Sequence, residues 1–220
     1  MAQIVSMMTT IATNCSNTRS RISFCDVWGE PPRIILARPN ASTTALGTGE
    51  RRKKYDLRVA AYGTLDEVNA TIGVARLHAA EDRDLDAALA RVQNDLFDVE
   101  ADLCMPSEKG KGPGGARLAV SAAQVAWIEG EIDRLNAELA PLKSFILPGG
   151  NPAAAYLHLA RTVCRRAERL MVKLSDQPGE SVTPEALQYV NRLSDYLFVA
   201  SRFMNHKGAS DVLWRPGENR

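Results

Sequence analysis

The apolar positions of the chain settle into a regular rhythm at Leu57. From there Ala61, Leu65, Val68, Ile72 and Ala75 fall at steps of four and three, and Leu85, Leu89, Val92, Leu96, Val99 and Leu103 repeat that spacing. Such a period lines one face of an α-helix, so two amphipathic helices are predicted in succession. Ser121-Ala122-Ala123-Gln124 announces a third, because Ser and Gln can satisfy each other's free backbone donors. Its seam of Val125, Ile128, Ile132, Leu135 and Leu139 is expected to run on until Pro141 ends it. A fourth helix is expected from about Pro152 to Leu174. A fifth follows from Thr183, whose hydroxyl can cap while Pro184 takes the first helical position, to about Met204. Five helices with mostly short links predict an all-α fold, a five-helix bundle.

Residues 1–42 lack this rhythm. They contain Pro31, Pro32 and Pro39 and mix Ser and Thr with isolated apolar residues, which predicts an atypical, largely disordered segment ahead of a helical domain over residues 43–217. The first 25 residues carry Arg19, Arg21 and eight Ser or Thr with no acid before Asp26, a weak likeness to an organellar transit peptide, although neither an amphipathic helix nor an apolar core of a signal is evident. The GKGPGG stretch between Pro106 and Arg117 lacks the order of a phosphate-binding loop and is expected to be a mobile connector.

Length and composition narrow the picture further. At 220 residues the chain can bury one core and hardly two. Only 6% of it is aromatic, which argues against an all-β fold. The formal charge of +1 excludes a dominating nucleic-acid-binding field, so no nucleic-acid partner is expected. It conceals an asymmetry: residues 1–60 hold nine Lys or Arg against four Asp or Glu, and the remainder eighteen against twenty-two. The basic end can therefore meet an anion. Cys15, Cys25, Cys104 and Cys164 show neither CxxC spacing nor neighbouring His, which points to a reducing compartment and away from a disulfide or metal scaffold. His78, His158 and His206 are far apart and are expected at the surface or in the core as satisfied residues, and no metal site is expected. No apolar run reaches the ~20 residues of a membrane-spanning helix, so a soluble chain without a membrane partner is expected.

The chemistry-bearing residues lie mainly on the last two predicted helices. In RTVCRRAER, Arg161, Arg165 and Glu168 share one face, while Tyr156, Leu159, Val163, Ala167, Leu170 and Leu174 form an apolar seam that predicts a mostly buried helix with a charged stripe. Two guanidinium groups one turn apart match the spacing of adjacent phosphoryl groups; an internal ion-pair network with acids of other helices fits the stripe equally well. In NRLSD, Asn191 and Asp195 share a face continued by Phe198 and Arg202, and Asp195 can serve a ligand or simply pair with Arg192 or Arg202. Asp66 interrupts the apolar seam of the first helix and is a natural mate for a buried Arg. Phe145 begins FILPGG, whose Pro148 and two Gly dictate a tight turn, and can be either core or ligand contact. Arg51, Arg52, Lys53 and Lys54 form a basic run that is either a solvated patch or an anion-steering one.

Together TTALGTGERRKK, AYGTLDEVNA, FILPGG, RTVCRRAER, NRLSDYLF and DVLWRPG, over about residues 43–217, resemble the PduO-type ATP:cob(I)alamin adenosyltransferases. The resemblance implies a trimer with ATP and corrinoid sharing a site at each subunit interface. It also implies transfer of the 5′-deoxyadenosyl group of ATP to cobalt, with release of triphosphate. By it, Arg161 and Arg165 are triphosphate and adenosyl-positioning groups, Lys54 the phosphate-binding lysine, and Glu168 and Asn191 nucleotide contacts. Asp66 is the acid that pairs across the site with Arg161, and Thr43 and Thr44 belong to the phosphate-wrapping loop. Phe145 is the aromatic that displaces the lower axial ligand of cobalamin, and Asp195 helps hold the site near the corrinoid. Mg²⁺ accompanies ATP on its phosphates. Implied partners are a flavoprotein reductase and an adenosylcobalamin-dependent enzyme. The implied location is cytoplasmic, or the mitochondrial matrix if residues 1–42 are a transit peptide.

One stretch departs from the family pattern. The family opens with a TRTGDxGxT loop, and here the matching residues read ARPNASTTA, Ala37 to Ala45, with no Gly between Glu30 and Gly47. Three explanations present themselves: a divergent enzyme, a protein that keeps corrinoid or nucleotide binding without turnover, or a gene model out of frame over its first 42 residues, which the abrupt start of the match at Thr43 favours. The competing functional readings are a non-catalytic trimeric corrinoid-binding or delivery module and an ATP-binding regulatory bundle.

Overall fold

A computed structural model of the protein describes residues 42–106 and 118–220, so the expectations for residues 1–41 and for the GKGPGG stretch lie outside the described residues. A short antiparallel hairpin, β1 (Thr43–Ala45) and β2 (Arg51–Lys53), precedes five helices: α1 (Leu57–Leu77), α2 (Arg83–Cys104), α3 (Ala122–Asn136), α4 (Pro152–Ser175) and α5 (Pro184–Met204). The helix starts follow the capping chemistry of the sequence. Ser121 and Gln124 form the reciprocal capping box, and the Thr183 side chain accepts from Ala186 N–H with Pro184 behind it. Asp56, Asp82 and Asn151 cap the other three.

The hairpin is an addition to the all-helical expectation. Its strands are three residues each, too short to show a period of two, and Arg51–Lys53 reads in sequence as a charged run. In the fold Thr44 lies opposite Arg52, and Leu46, 1% exposed, plugs the core while Gly47 N–H donates to the Cys104 carbonyl at 3.0 Å. A helix boundary is corrected in α3, which ends at Asn136 and not at Pro141. Ala137 N–H already bonds to the carbonyls of Asp133 and Leu135, and successive turns carry Leu139 onward.

The helices close a ring. α1 packs on α2 and α4, α4 on α5, and α5 on α3. α3 returns to α2 through side chains: Gln124 donates to Asp95 and Asp98 at 2.9 Å each, and the Arg91 guanidinium sits 3.9 Å from the Trp127 ring centre. All eleven seam residues predicted for α1 and α2 are buried. On α4 the small residues Ala160, Cys164 and Ala167 are buried, which suits a helix packed on two neighbours. The predicted seam of α4 is nevertheless only half right. Val163, Ala167 and Leu174 are buried, whereas Leu159 is 50% exposed and Tyr156 36%. Their spacing follows the helical period, but on that side Tyr156 meets only the His78 ring, stacked at 5.6 Å, and Leu159 stays half exposed among the described residues.

Arg58, fully buried, ties four segments together. Its guanidinium donates to the Leu103 carbonyl at 2.8 Å, to Ser181 O at 3.0 Å and to Glu180 at 2.6 and 3.0 Å, and Arg52 reaches Glu180 from the hairpin at 2.8 Å. Burial alone raises the Glu180 pKa, but the hydrogen bonds from Arg58 and Arg52 outweigh it and hold the carboxyl below its ordinary value of 4.5. The stability that this pair supplies is therefore full above that pH and is lost as the pH falls below it. Glu180→Gln leaves a buried guanidinium without its counter-charge and should cost about 3 kcal/mol in urea unfolding at pH 7. It should also flatten the acid limb of the stability curve.

Candidate functional site

The spacing that put Arg161, Arg165 and Glu168 on one face of α4 also brings them alongside α5, which runs antiparallel. Besides the buried Cys164 Sγ–Val190 O contact at 3.3 Å, three rungs connect the pair. Asn191 Nδ2 donates to Glu168 Oε1 at 2.7 Å, the Arg161 guanidinium lies 5.9 Å from the centre of the Phe198 ring, and His158 Nε2 lies 3.2 Å from Ser201 Oγ. Asn191 is held from both sides, since its Oδ1 accepts from Arg192 Nε at 3.2 Å and Nη2 at 2.5 Å. Only one amide orientation serves an arginine donor on one side and a carboxylate acceptor on the other. Asp195 pairs with Arg192 at 3.2 Å, the plain surface pairing that its spacing allowed.

Charge is not balanced along this face. Arg161 is half-buried, its Nε has no hydrogen-bond partner, and no acid lies within 4.0 Å of it among the described residues. Burial lowers its pKa and the neighbouring Arg165 charge lowers it further. A guanidinium still stays protonated. Arg165 itself is exposed, contrary to the expectation of a buried stripe, and has no ion pair among the described residues. The α4 arginine that does find an acid is Arg166, paired with Glu67 of α1 at the surface. The internal network that would have neutralised Arg161 and Arg165 is therefore not formed within the described chain.

The remaining predicted residues make no hydrogen bond or ion pair with this face among the described residues. Thr43 accepts from Arg51 at 2.6 Å within the hairpin, Thr44 is half-buried opposite Arg52, and Lys54 is exposed just beyond β2. Asp66 is half-buried on α1, and the pair with Arg161 is not made inside the chain. Behind Asp66 lies Glu100, buried with both carboxylate oxygens unpartnered among the described residues; burial, then the Asp66 charge, pushes its pKa up to about 8. Phe145 is not core, because it is 77% exposed.

Phe145 is nonetheless well placed. Its carbonyl accepts from Trp214 N–H at 2.8 Å, its ring meets the Trp214 ring edge-on at 5.9 Å, and Leu147 N–H donates to Val212 O at 2.8 Å. The carboxy-terminal segment thus straps the FILPGG loop. That strap is anchored by the buried Arg202–Asp211 pair at 2.9 Å, with Arg202 also donating to Ala140 O at 2.9 Å. Asn205 closes the arrangement through Asn151 N–H at 3.1 Å and Gly149 O at 3.2 Å. Gly150, at φ +105°, leaves the space that Asn205 fills: a Cβ there would stand 2.1 Å from Asn205 Oδ1.

Sequence reasoning left three residues of this face without a role. Arg192 was visible only as a candidate mate for Asp195, Phe198 only as the next residue of its stripe, and His158 as an isolated histidine. The signal for His158 was its position three residues before Arg161.

A family model described as Cobalamin adenosyltransferase matches residues 35–204, and so includes residues 35–42 of the segment set apart by composition. A corrinoid adenosyltransferase of Mycobacterium tuberculosis is 44% identical over 188 residues, covering 86% of this chain and 95% of the relative. A cobalamin adenosyltransferase of Cupriavidus metallidurans is 44% identical over 184 residues, covering 83% and 94%. Among solved structures, a variant PduO-type ATP:corrinoid adenosyltransferase from Lactobacillus reuteri complexed with cobalamin and ATP is 33% identical, with a TM-score of 0.75 over 84% of this chain and 97% of that one.

Gly150→Ala should force Asn205 out of its place and loosen the strap. A loss of roughly 2 kcal/mol in chemical unfolding is expected, with a change in Trp214 fluorescence. Wild-type stability in this variant would show that the glycine is not required.

Proposed function

The chain belongs to the cobalamin adenosyltransferase family, and on that premise we infer that it transfers the 5′-deoxyadenosyl group of ATP to cob(I)alamin, giving adenosylcobalamin and triphosphate. The observation within the chain that carries this reading is the uncompensated pair Arg161 and Arg165. A half-buried guanidinium without an acid calls for an anion from outside, and two guanidiniums one turn apart present planar donor forks to adjacent phosphoryl groups.

Cobalt(I) is itself the nucleophile. It forms the bond to C5′ of ATP, the C5′–O bond breaks, and the electron pair leaves with triphosphate; no proton need be removed by the protein. The residues are therefore asked to align the two substrates and to stabilise charge gathering on the leaving group. Arg161 and Arg165 perform the second task, with Lys54 and the Thr43 and Thr44 hydroxyls on the phosphate chain. The fixed Asn191–Glu168 pair reads the nucleoside. Phe145, exposed on a strapped loop, is available to press on the corrinoid and displace its lower axial ligand, and Asp195 lines the same side. Mg²⁺ rides on the phosphates of ATP.

We further place Asp66 opposite Arg161 of a neighbouring copy in a homotrimer. That neither residue has an ion pair among the described residues, and that Leu159 is exposed, support this arrangement. No helix among the described residues is long and apolar enough to cross a membrane, and Cys104 and Cys164 are free, which supports a reducing, cytoplasmic setting. A flavoprotein reductase and an adenosylcobalamin-dependent enzyme are the partners that the reaction demands before and after it.

The test is anaerobic absorbance with MgATP, cobalamin and a chemical reductant, followed by illumination. A light-sensitive cobalt–carbon product is expected; bound corrinoid without such a product would support the delivery module instead. Arg165→Ala should lower kcat/KM for ATP by roughly 100-fold in a folded protein. Phe145→Ala should spare ATP affinity and slow conversion of cobalamin, and a comparable loss of ATP affinity would exclude its corrinoid role.

A further inference from the structure

His158 is 1% exposed and stands one turn before Arg161 on α4. Its Nε2 is 3.2 Å from Ser201 Oγ, and that hydroxyl donates to the Phe198 carbonyl at 2.7 Å. A hydroxyl has a single proton. Because Ser201 spends it on the carbonyl, its oxygen accepts from the imidazole, and Nε2 carries the ring proton. Burial opposes a second proton, as does the charge of Arg161, while Asp211 acts more weakly the other way; the His158 pKa is lowered overall. Nδ1 is then a bare lone pair, buried and without a hydrogen-bond partner among the described residues.

Arg161 presents the complementary deficit. Its Nε–H is a buried donor without an acceptor among the described residues. Both side chains rest on one ring: His158 meets Phe198 edge-on at 6.2 Å, and the Arg161 guanidinium lies 5.9 Å from the same centre. Side chains three residues apart on a helix are neighbours, so a lone acceptor and a lone donor share one turn.

We propose that His158 is a positioning residue for the adenosyl transfer: one bridging water accepts from the Arg161 Nε–H and donates to His158 Nδ1, and so sets the plane of the guanidinium with both Nη groups free for the anion. The chemistry explains why the acceptor is an imidazole. With Asp66 of a neighbouring copy already facing Arg161, a second carboxylate at this place would leave the arginine no charge for the phosphate, whereas a neutral acceptor orients without neutralising. The inference rests on the adenosyltransferase reading given above.

Two substitutions in the full chain separate the two ring nitrogens. H158N places an amide oxygen near the position of Nδ1 and gives up the Ser201 contact; H158Q keeps a donor near Nε2 and gives up the Nδ1 acceptor. With wild-type turnover as control, H158Q should lose about 10-fold to 100-fold in kcat/KM for ATP, with weaker MgATP binding in calorimetry. H158N should retain most of both, and the spectrum of bound cobalamin should be the same in all three proteins. Loss in H158N with retention in H158Q would overturn the proposal in favour of a structural role through Ser201. Equal loss in both would reduce the residue to packing, and wild-type behaviour in both would remove it from the site altogether. Absence of turnover in the wild-type chain would instead strike at the adenosyltransferase reading itself.

Discussion

A buried guanidinium is costly unless something answers its charge, and three arginines of this chain meet that constraint in different ways. Arg58 has Glu180 and two carbonyls, and Arg202 has Asp211 and the Ala140 carbonyl. Arg161 has an aromatic ring, a second arginine and no acid among the described residues. The first two are finished interactions and hold the frame together. The third is unfinished within one chain, and the functional reading follows from asking what finishes it.

The frame is arranged so that this deficit persists. Antiparallel packing of α4 on α5 puts Phe198 beside Arg161 and engages Glu168, the acid of the same stripe, with Asn191 instead. At the other end of α4, Asn151, Gly150 and Asn205 lock the FILPGG loop to the carboxy-terminal strap, which fixes the exposed Phe145 relative to the helix that carries the arginines. The two finished ion pairs therefore serve the unfinished one: Arg58 secures the hairpin and α1, and Arg202 secures the strap.

Much of the frame was legible in the sequence because helical periodicity is a redundant signal. Each seam of α1 and α2 carries five or six apolar residues at the right steps, and Ser121, Thr183 and Pro184 mark helix starts by chemistry that acts within three residues. The short hairpin escaped because three residues show no period, and the early end of α3 because turns after Asn136 continue the apolar spacing through Leu139. Tyr156 and Leu159 show the limit of periodicity, which says that residues share a face and nothing about what covers it. The site was legible as residue types on a stripe: Arg161, Arg165 and Glu168 lie along one helix, and Asn191 of the next meets Glu168. The role proposed for His158 was not, because it depends on which groups Ser201 and Phe198 bring against the imidazole, and only the packed structure shows that.

The completion of Arg161 from outside its own chain is tested most directly by mixing subunits. Asp66→Ala and Arg161→Ala proteins are each expected to have little adenosylation activity alone. After co-refolding, mixed closed oligomers contain interfaces in which an intact Arg161 faces an intact Asp66, and about a quarter of wild-type activity should return. Mixed oligomers that form, as shown by mass, yet stay as inactive as their parents would contradict the account.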